Sequence, residues 1–352
     1  MSLFSLIVAL LFEQFRPLDY RRFVLAPLTA LADFLEHHLN GGARQHGVFA
    51  WVLAVIAPTL LAGGVFYALY AVSPLLAWLW NVAVLYFTLG FRQFSHFFTD
   101  IQLALRMGDL AHAYRLLGEW RGATESDPLP ASRDVQPPIP EAGEIARAAI
   151  EEALIASHRH VFGVLVCFVL LPGPCGAVLY RCAAFLAEHW GARTGVSGSD
   201  EKAEKAEKAG ASASLPRAAD ALTFAEFGVF STRAFAFIDW LPVRVTAAGF
   251  AVVGDFEDAV YCWRTQADRV RDAGIGIVLA SGAGALGVRL GSVDGSAAPA
   301  ASDPPAGATV ELGAGDEAEA DHMQSAVGLV WRALLLWMLV LLLLGFATLV
   351  SN

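Results

Sequence analysis

Basic residues are scarce in this 352-residue chain: 24 lysines and arginines stand against 34 acidic residues, for a formal charge of −10, and no lysine precedes Lys202. A surface of that sign cannot neutralise several phosphates at once, which excludes DNA and RNA as expected partners. Charge of either sign is thin, at 16% against about 25% in an average soluble domain. Apolar residues make up 56% of the chain and the mean hydropathy is +0.52, a poor fit to a soluble globule or to disorder over most of the length. The four cysteines, Cys167, Cys175, Cys182 and Cys262, have no CxxC spacing, and three lie in or beside one apolar run. Neither a disulfide framework nor a zinc site is expected. HxxxH, Walker A, strand-to-helix GxGxxG and GxSxG motifs are all missing. His158 and His160 would be about 200° apart on a helix, and His37 and His38 also fall on different faces, so no metal ligand set is assigned.

What is present is long apolar runs. A crossing needs roughly 20 apolar residues to span a hydrocarbon core about 30 Å thick. Val48 to Val72 carries no charge, and Ser73-Pro74 separates it from a second uncharged run, Leu75 to Phe91, which predicts a tight hairpin. Val161 to Ala187 carries only Arg181, and Ala333 to Val350 carries no charge and follows Arg332. These four segments are expected to span. Ala236 to Val253 contains Asp239 and Arg244, so crossing and interfacial placement both stay open. Met1 to Phe12, short and without a basic n-region, reads as an interfacial or re-entrant helix rather than a cleaved signal. Arg16, Arg21, Arg22 and Arg44 precede the hairpin and seven arginines lie in 92–160, so the positive-inside rule puts both segments on the cytoplasmic side.

Between the spans, Phe94, Phe97, Phe98, Ile101 and Leu105 recur at three-four spacing, as do Leu110, Ala113, Tyr114, Leu117 and Trp120, which predicts two amphipathic helices. Gly108 suits the left-handed end of the first and Asp109 the cap of the second. Residues 123–140 read as a loop, and Glu141 and Glu144 as the start of another helix. The Glu-Lys-Ala repeat Glu201 to Ala209 reads as a solvated linker. Residues 281–321, rich in Gly, Ala, Ser, Pro and acid, are expected to be disordered, and Ala280 to Ala285 is low in complexity. Asp239-Trp240-Leu241-Pro242-Val243-Arg244 is the most informative cluster. Its two charges are too far apart for an i, i+4 pair, but a helix broken at Pro242 would bring them closer.

At that cluster the chain resembles the CobD/CbiB and AmpE superfamily of inner-membrane proteins. Asp239 to Thr246 is similar to the family's DWxPxRLT segment, with Gly254, Glu257 and Trp263 following as in AmpE-like members. Leu105-Arg106-Met107-Gly108-Asp109-Leu110 with Ala113 and Arg115 resembles the LxxGDLxxAR block. Leu171 to Ala177, continuing to Tyr180-Arg181, resembles the GGPxGAxxYR turn, and the opening Leu3 to Glu13 is similar to AmpE. The synthase branch's Asp-Pro and His-Pro-Val signatures are not found, and only Glu151 matches its acidic block Glu-Ser-x-x-Glu-Asn-x-x-Asp.

The resemblance implies an all-α, polytopic integral membrane protein of a bacterial inner membrane, with an amphipathic cytoplasmic helical loop. Its parts are an N-terminal interfacial helix and cytoplasmic segment (1–47), a transmembrane hairpin (48–91), the helical loop (92–160), a transmembrane segment (161–187) and a polar linker with an amphipathic helix (188–235). The DWxPxR segment (236–263), an acidic region expected to be disordered (264–326) and a C-terminal transmembrane helix (327–350) follow. On the missing signatures, the expectation is a non-catalytic regulatory or signalling modulator of the AmpE-like branch, with the bilayer and a further membrane or cytoplasmic protein as partners. The alternative is a cobalamin-pathway ligase, joining an aminopropanol phosphate to adenosylcobyric acid with ATP and magnesium. Arg106, Asp109, Arg115, Glu151, Asp239 and Arg244 form the candidate functional cluster, with Arg159 added because AmpE-like proteins also carry arginine there.

Overall fold

A computed structural model describes residues 2–15, 24–39, 44–121, 140–196, 218–270, 272–292 and 310–350. Arg16, Arg21 and Arg22, nearly all of the expected 123–140 loop, and the Glu201 to Ala209 repeat lie outside them. The described chain is helical apart from a small sheet, and it divides into two compact units, Met1–Leu89 with Val164–Trp240, and Gly90–Gly163 with Leu241–Asn352.

The first unit holds α1 (Ser2–Phe15), α2 (Ala26–Leu39), α3 (Arg44–Val72), α4 (Pro74–Thr88), α8 (Gly163–Leu170), α9 (Cys175–Val196) and the first part of α10 (Ala218–Val253). Ser73 caps α4, its hydroxyl accepting from the Leu75 amide at 3.3 Å. Proline follows at the first helical position, where a missing N–H costs nothing. The expected α3–α4 hairpin forms, and the Trp80 indole donates across it to the Ala62 carbonyl at 3.1 Å. Between α8 and α9 the chain turns at Leu171–Pro174, with Gly173 at φ +62. A Cβ on Gly176 would fall 1.8 Å from the Cys167 carbonyl oxygen, so only glycine permits the backbones to approach this closely.

The second unit holds α5 (Phe91–Arg106), α6 (Leu110–Trp120), α7 (Ala142–Ser157), a π-helical turn (His158–Phe162), the rest of α10, α11 (Phe256–Gln266), α12 (Ala273–Leu286) and α13 (Ala320–Val350). The predicted amphipathic pair is α5 and α6. Gly108 adopts φ +77 between them, and Asp109 Oδ1 accepts from the His112 amide at 3.0 Å. Phe98, Ile101, Leu105, Ala113 and Leu117 are buried, and the Phe97 and Trp120 rings stack at 6.3 Å. A capping box of Glu141 and Glu144 opens α7. Strands β1 (Val288–Ser292), β2 (Val310–Leu312) and β3 (Asp316–Glu317) form a sheet in the order β2-β1-β3, antiparallel on the β2 side and parallel on the β3 side.

Four helices are long and apolar enough to cross a membrane: Gln45–Val72, Ala142–Leu170, Gly228–Val253 and Ala320–Ala347. Leucines at 60, 61, 335, 339, 342 and 343 are exposed along two of them, as a hydrocarbon solvent permits. The set differs from the sequence expectation in two places and takes one side of a third that the sequence left open. The second helix of the hairpin, α4, is 15 residues, about 22 Å long and short of the hydrocarbon core. The expected span 161–187 is cut at Pro172-Gly173-Pro174, and the long helix instead begins upstream at Ala142, inside the segment assigned to a cytoplasmic loop. Third, Gly228–Val253 qualifies because α10 runs through Pro242 without interruption, placing Asp239 and Arg244 about 140° apart around its axis.

Part of the region expected to be disordered is also ordered. Ala280 to Ala285 lies buried in α12, so its low complexity does not mark a linker. The glycines instead permit backbone contact: a Cβ on Gly284 would lie 2.4 Å from the Asp258 carbonyl oxygen of α11, and one on Gly254 2.5 Å from that of Ala285. Gly284→Val should therefore destabilise the protein by about 1–3 kcal/mol, read as a lower thermal midpoint in detergent. Gly328→Ala, inside α13 at a position whose added Cβ would meet nothing within 4 Å, should hold the midpoint or raise it.

Candidate functional site

The candidate residues occupy three places. Arg106, Asp109 and Arg115 belong to the α5–α6 corner. Arg106 ends α5 and donates to Gln324 Oε1 of α13 at 3.3 Å, while Arg115 Nη2 lies 2.7 Å from His112 Nδ1. Asp109 is the cap of α6 and thus has a structural task.

Glu151 is buried in the middle of α7, 5% exposed. Its Oε1 accepts from the Gly291 amide of β1 at 2.8 Å. Parallel pairing with β3 ends at Arg289↔Glu317, so the carboxylate takes up the next strand amide where the partner strand has stopped. Arg159 lies in the π-helical turn beyond α7, a feature frequent at functional sites. The neighbouring His158 Nδ1 is 2.9 Å from Thr246 Oγ1 of α10, and the Thr246 hydroxyl donates to the Pro242 carbonyl at 3.0 Å. With that hydroxyl hydrogen used, the oxygen accepts and His158 Nδ1 carries the proton. Phe162 meets Phe250 edge-on at 5.7 Å, four residues further along both helices. The turn carrying Arg159 and the stretch of α10 after Arg244 therefore run side by side in the second unit. Thr246 and His158 are the residues that sequence reasoning passed over; Thr246 stood in the quoted motif, but nothing in the sequence pairs it with a histidine 88 positions earlier.

Asp239 belongs to the first unit. It is 7% exposed, and Tyr180 of α9 donates its hydroxyl to Asp239 Oδ1 at 2.9 Å while its ring packs 5.6 Å from that of Phe235. The turn block and the DWxPxR block, far apart in sequence, thus meet through one buried hydrogen bond.

A magnesium–nucleotide requires carboxylate oxygens or amides directed at phosphates. Asp109 Oδ1 and Glu151 Oε1 already accept from backbone amides. Those two oxygens therefore have structural tasks, a helix cap and a strand-end acceptor.

Apolar helices of spanning length with buried polar links between them define a polytopic helical membrane protein. The chain belongs to the CobD/CbiB family. It is 34% identical over 351 residues to cobalamin biosynthesis protein CobD of Stutzerimonas stutzeri, covering 98% of this chain and 99% of that one. It is 33% identical over 294 residues to the protein of the same name from Chromobacterium violaceum, covering 84% and 78%. No protein-family model and no solved structure matches the chain. The relatives' names overturn the regulatory reading and give the AmpE-like branch no support. The expectation failed because it weighed missing linear signatures, whereas the likeness to these relatives extends over nearly the whole chain.

Glu151→Ala would leave the Gly291 amide buried without its acceptor and should cost about 1–3 kcal/mol, measured by thermal unfolding in detergent. Glu151→Gln keeps an oxygen in place and should recover most of that loss, as a brace requires.

Proposed function

We propose that this protein is a membrane-embedded enzyme of cobalamin biosynthesis. The observation that carries the reading is the end-to-end identity with the Stutzerimonas protein named for that pathway, without a large unmatched segment on either side. Within the pathway, the reaction that the family resemblance implies is formation of an amide between adenosylcobyric acid and an aminopropanol or its phosphate, with ATP and magnesium. The protein resides in a bacterial inner membrane with the α5–α6 corner on the cytoplasmic side, where nucleotide is available.

Amide formation from a carboxylate brings anionic groups together, and cations held by the fold are the parts suited to that task. Arg159 and Arg244 are assigned this role, since the His158–Thr246 bond holds their helices in register. Asp239, fixed by the Tyr180 hydroxyl, is a further candidate in its own unit.

The test is an assay of protein purified in detergent with adenosylcobyric acid, aminopropanol phosphate, ATP and magnesium, read by mass spectrometry for adenosylcobinamide phosphate. Product should form, and Arg159→Ala and Arg244→Ala should each lower its rate by about a hundredfold with the thermal midpoint retained. No product, with the Stutzerimonas relative active alongside, would overturn the proposal.

A further inference from the structure

In the first unit, Asp33, Glu36 and His189 each offer one ligand atom, and the three atoms lie within 4.8 Å of one another. Asp33 and Glu36 are three apart on α2 and so share a face. His189 approaches from α9, its Nε2 3.0 Å from Asp33 Oδ1. The imidazole stacks on Phe185, one turn back, with centroids 5.4 Å and planes 15° apart, and the next residue, Trp190, is fully buried. The ring plane is thereby fixed with Nε2 directed at the carboxylates. His189 is mostly covered at 18% exposure, whereas Asp33 is open at 56%, so the group has one walled side and one side facing outward.

We propose that Asp33, Glu36 and His189 bind a divalent first-row transition cation. The chemistry follows from the donor set. Two carboxylate oxygens and one imidazole nitrogen suit manganese, iron or zinc, whereas calcium and magnesium favour sites built wholly from oxygen. Ligand atoms around one such ion lie up to about 4 Å apart, since each bond is about 2.1 Å, so the present spacing closes on an ion with small side-chain rotations. The cation would take the position of the proton between His189 and Asp33. Three ligands from one side leave coordination positions open on the exposed side, as in metal sites that accept water or an anionic substrate group. The sequence hides this set because the histidine stands more than 150 positions after the two carboxylates and the three show no ligand motif.

This site goes beyond the amide-forming reading, and its test uses neither nucleotide nor corrinoid, so failure of one leaves the other standing. Full-length protein in lipid nanodiscs, stripped with chelator, is titrated with Mn2+ and followed by electron paramagnetic resonance. One Mn2+ per chain should bind, pulsed spectra should register one coordinated imidazole nitrogen, and excess Zn2+ should displace it. His189→Gln and the double variant Asp33→Asn/Glu36→Gln should each weaken binding at least tenfold, given that even the outer partners of metal ligands are worth about 10–100-fold. Absence of one-to-one binding, a bound ion without the nitrogen signal, or affinity unchanged in both variants would overturn the proposal. The nitrogen signal is read on the unmodified protein, so a variant that fails to fold does not remove the test.

Discussion

A hydrocarbon solvent supplies no water to take up an unmade hydrogen bond, and four buried polar links in this protein answer that constraint. Tyr180 meets Asp239, His158 meets Thr246, Ser281 meets the Ala247 carbonyl, and Glu151 meets the end of a strand. Each link joins elements that are distant in sequence, so each both satisfies a polar atom and fixes a helix or strand against its neighbour. Pro242 belongs to the same economy: its ring removes a helical amide, and the carbonyl of the same residue is taken by Thr246.

Much of this was legible where a local rule decides the backbone. The Gly108–Asp109 corner, the Ser73 cap and the capping box before α7 involve residues a few positions apart, and their side chains act on amides in their own turn. The α12 helix was not legible. Gly282 and Gly284 among alanines have the composition of a linker, and only contact with α7 and α11 reveals that small residues serve close packing. Glu151 was singled out as the remnant of an acidic motif, yet its partner is a backbone amide 140 positions away, which no pattern in the sequence announces.

The same distinction explains why the family was readable and the activity misjudged. The blocks that carry the likeness are largely occupied with holding the fold: Asp109 caps a helix, Gly176 admits a neighbouring backbone, and Tyr180 secures Asp239. Such duties belong to the scaffold whatever chemistry it carries, so these residues identify the fold and say little about its use. Whole-chain similarity to proteins named for cobalamin biosynthesis carries information that the blocks alone do not.

The small sheet has a practical side. Ser292 pairs with Val310, so strand register holds together the two positions that flank residues 293–309. Lengthening a connection between fixed ends costs only about 0.6 kcal/mol for each doubling. A reporter domain grafted there would carry an address label for the face of the bilayer on which the sheet resides.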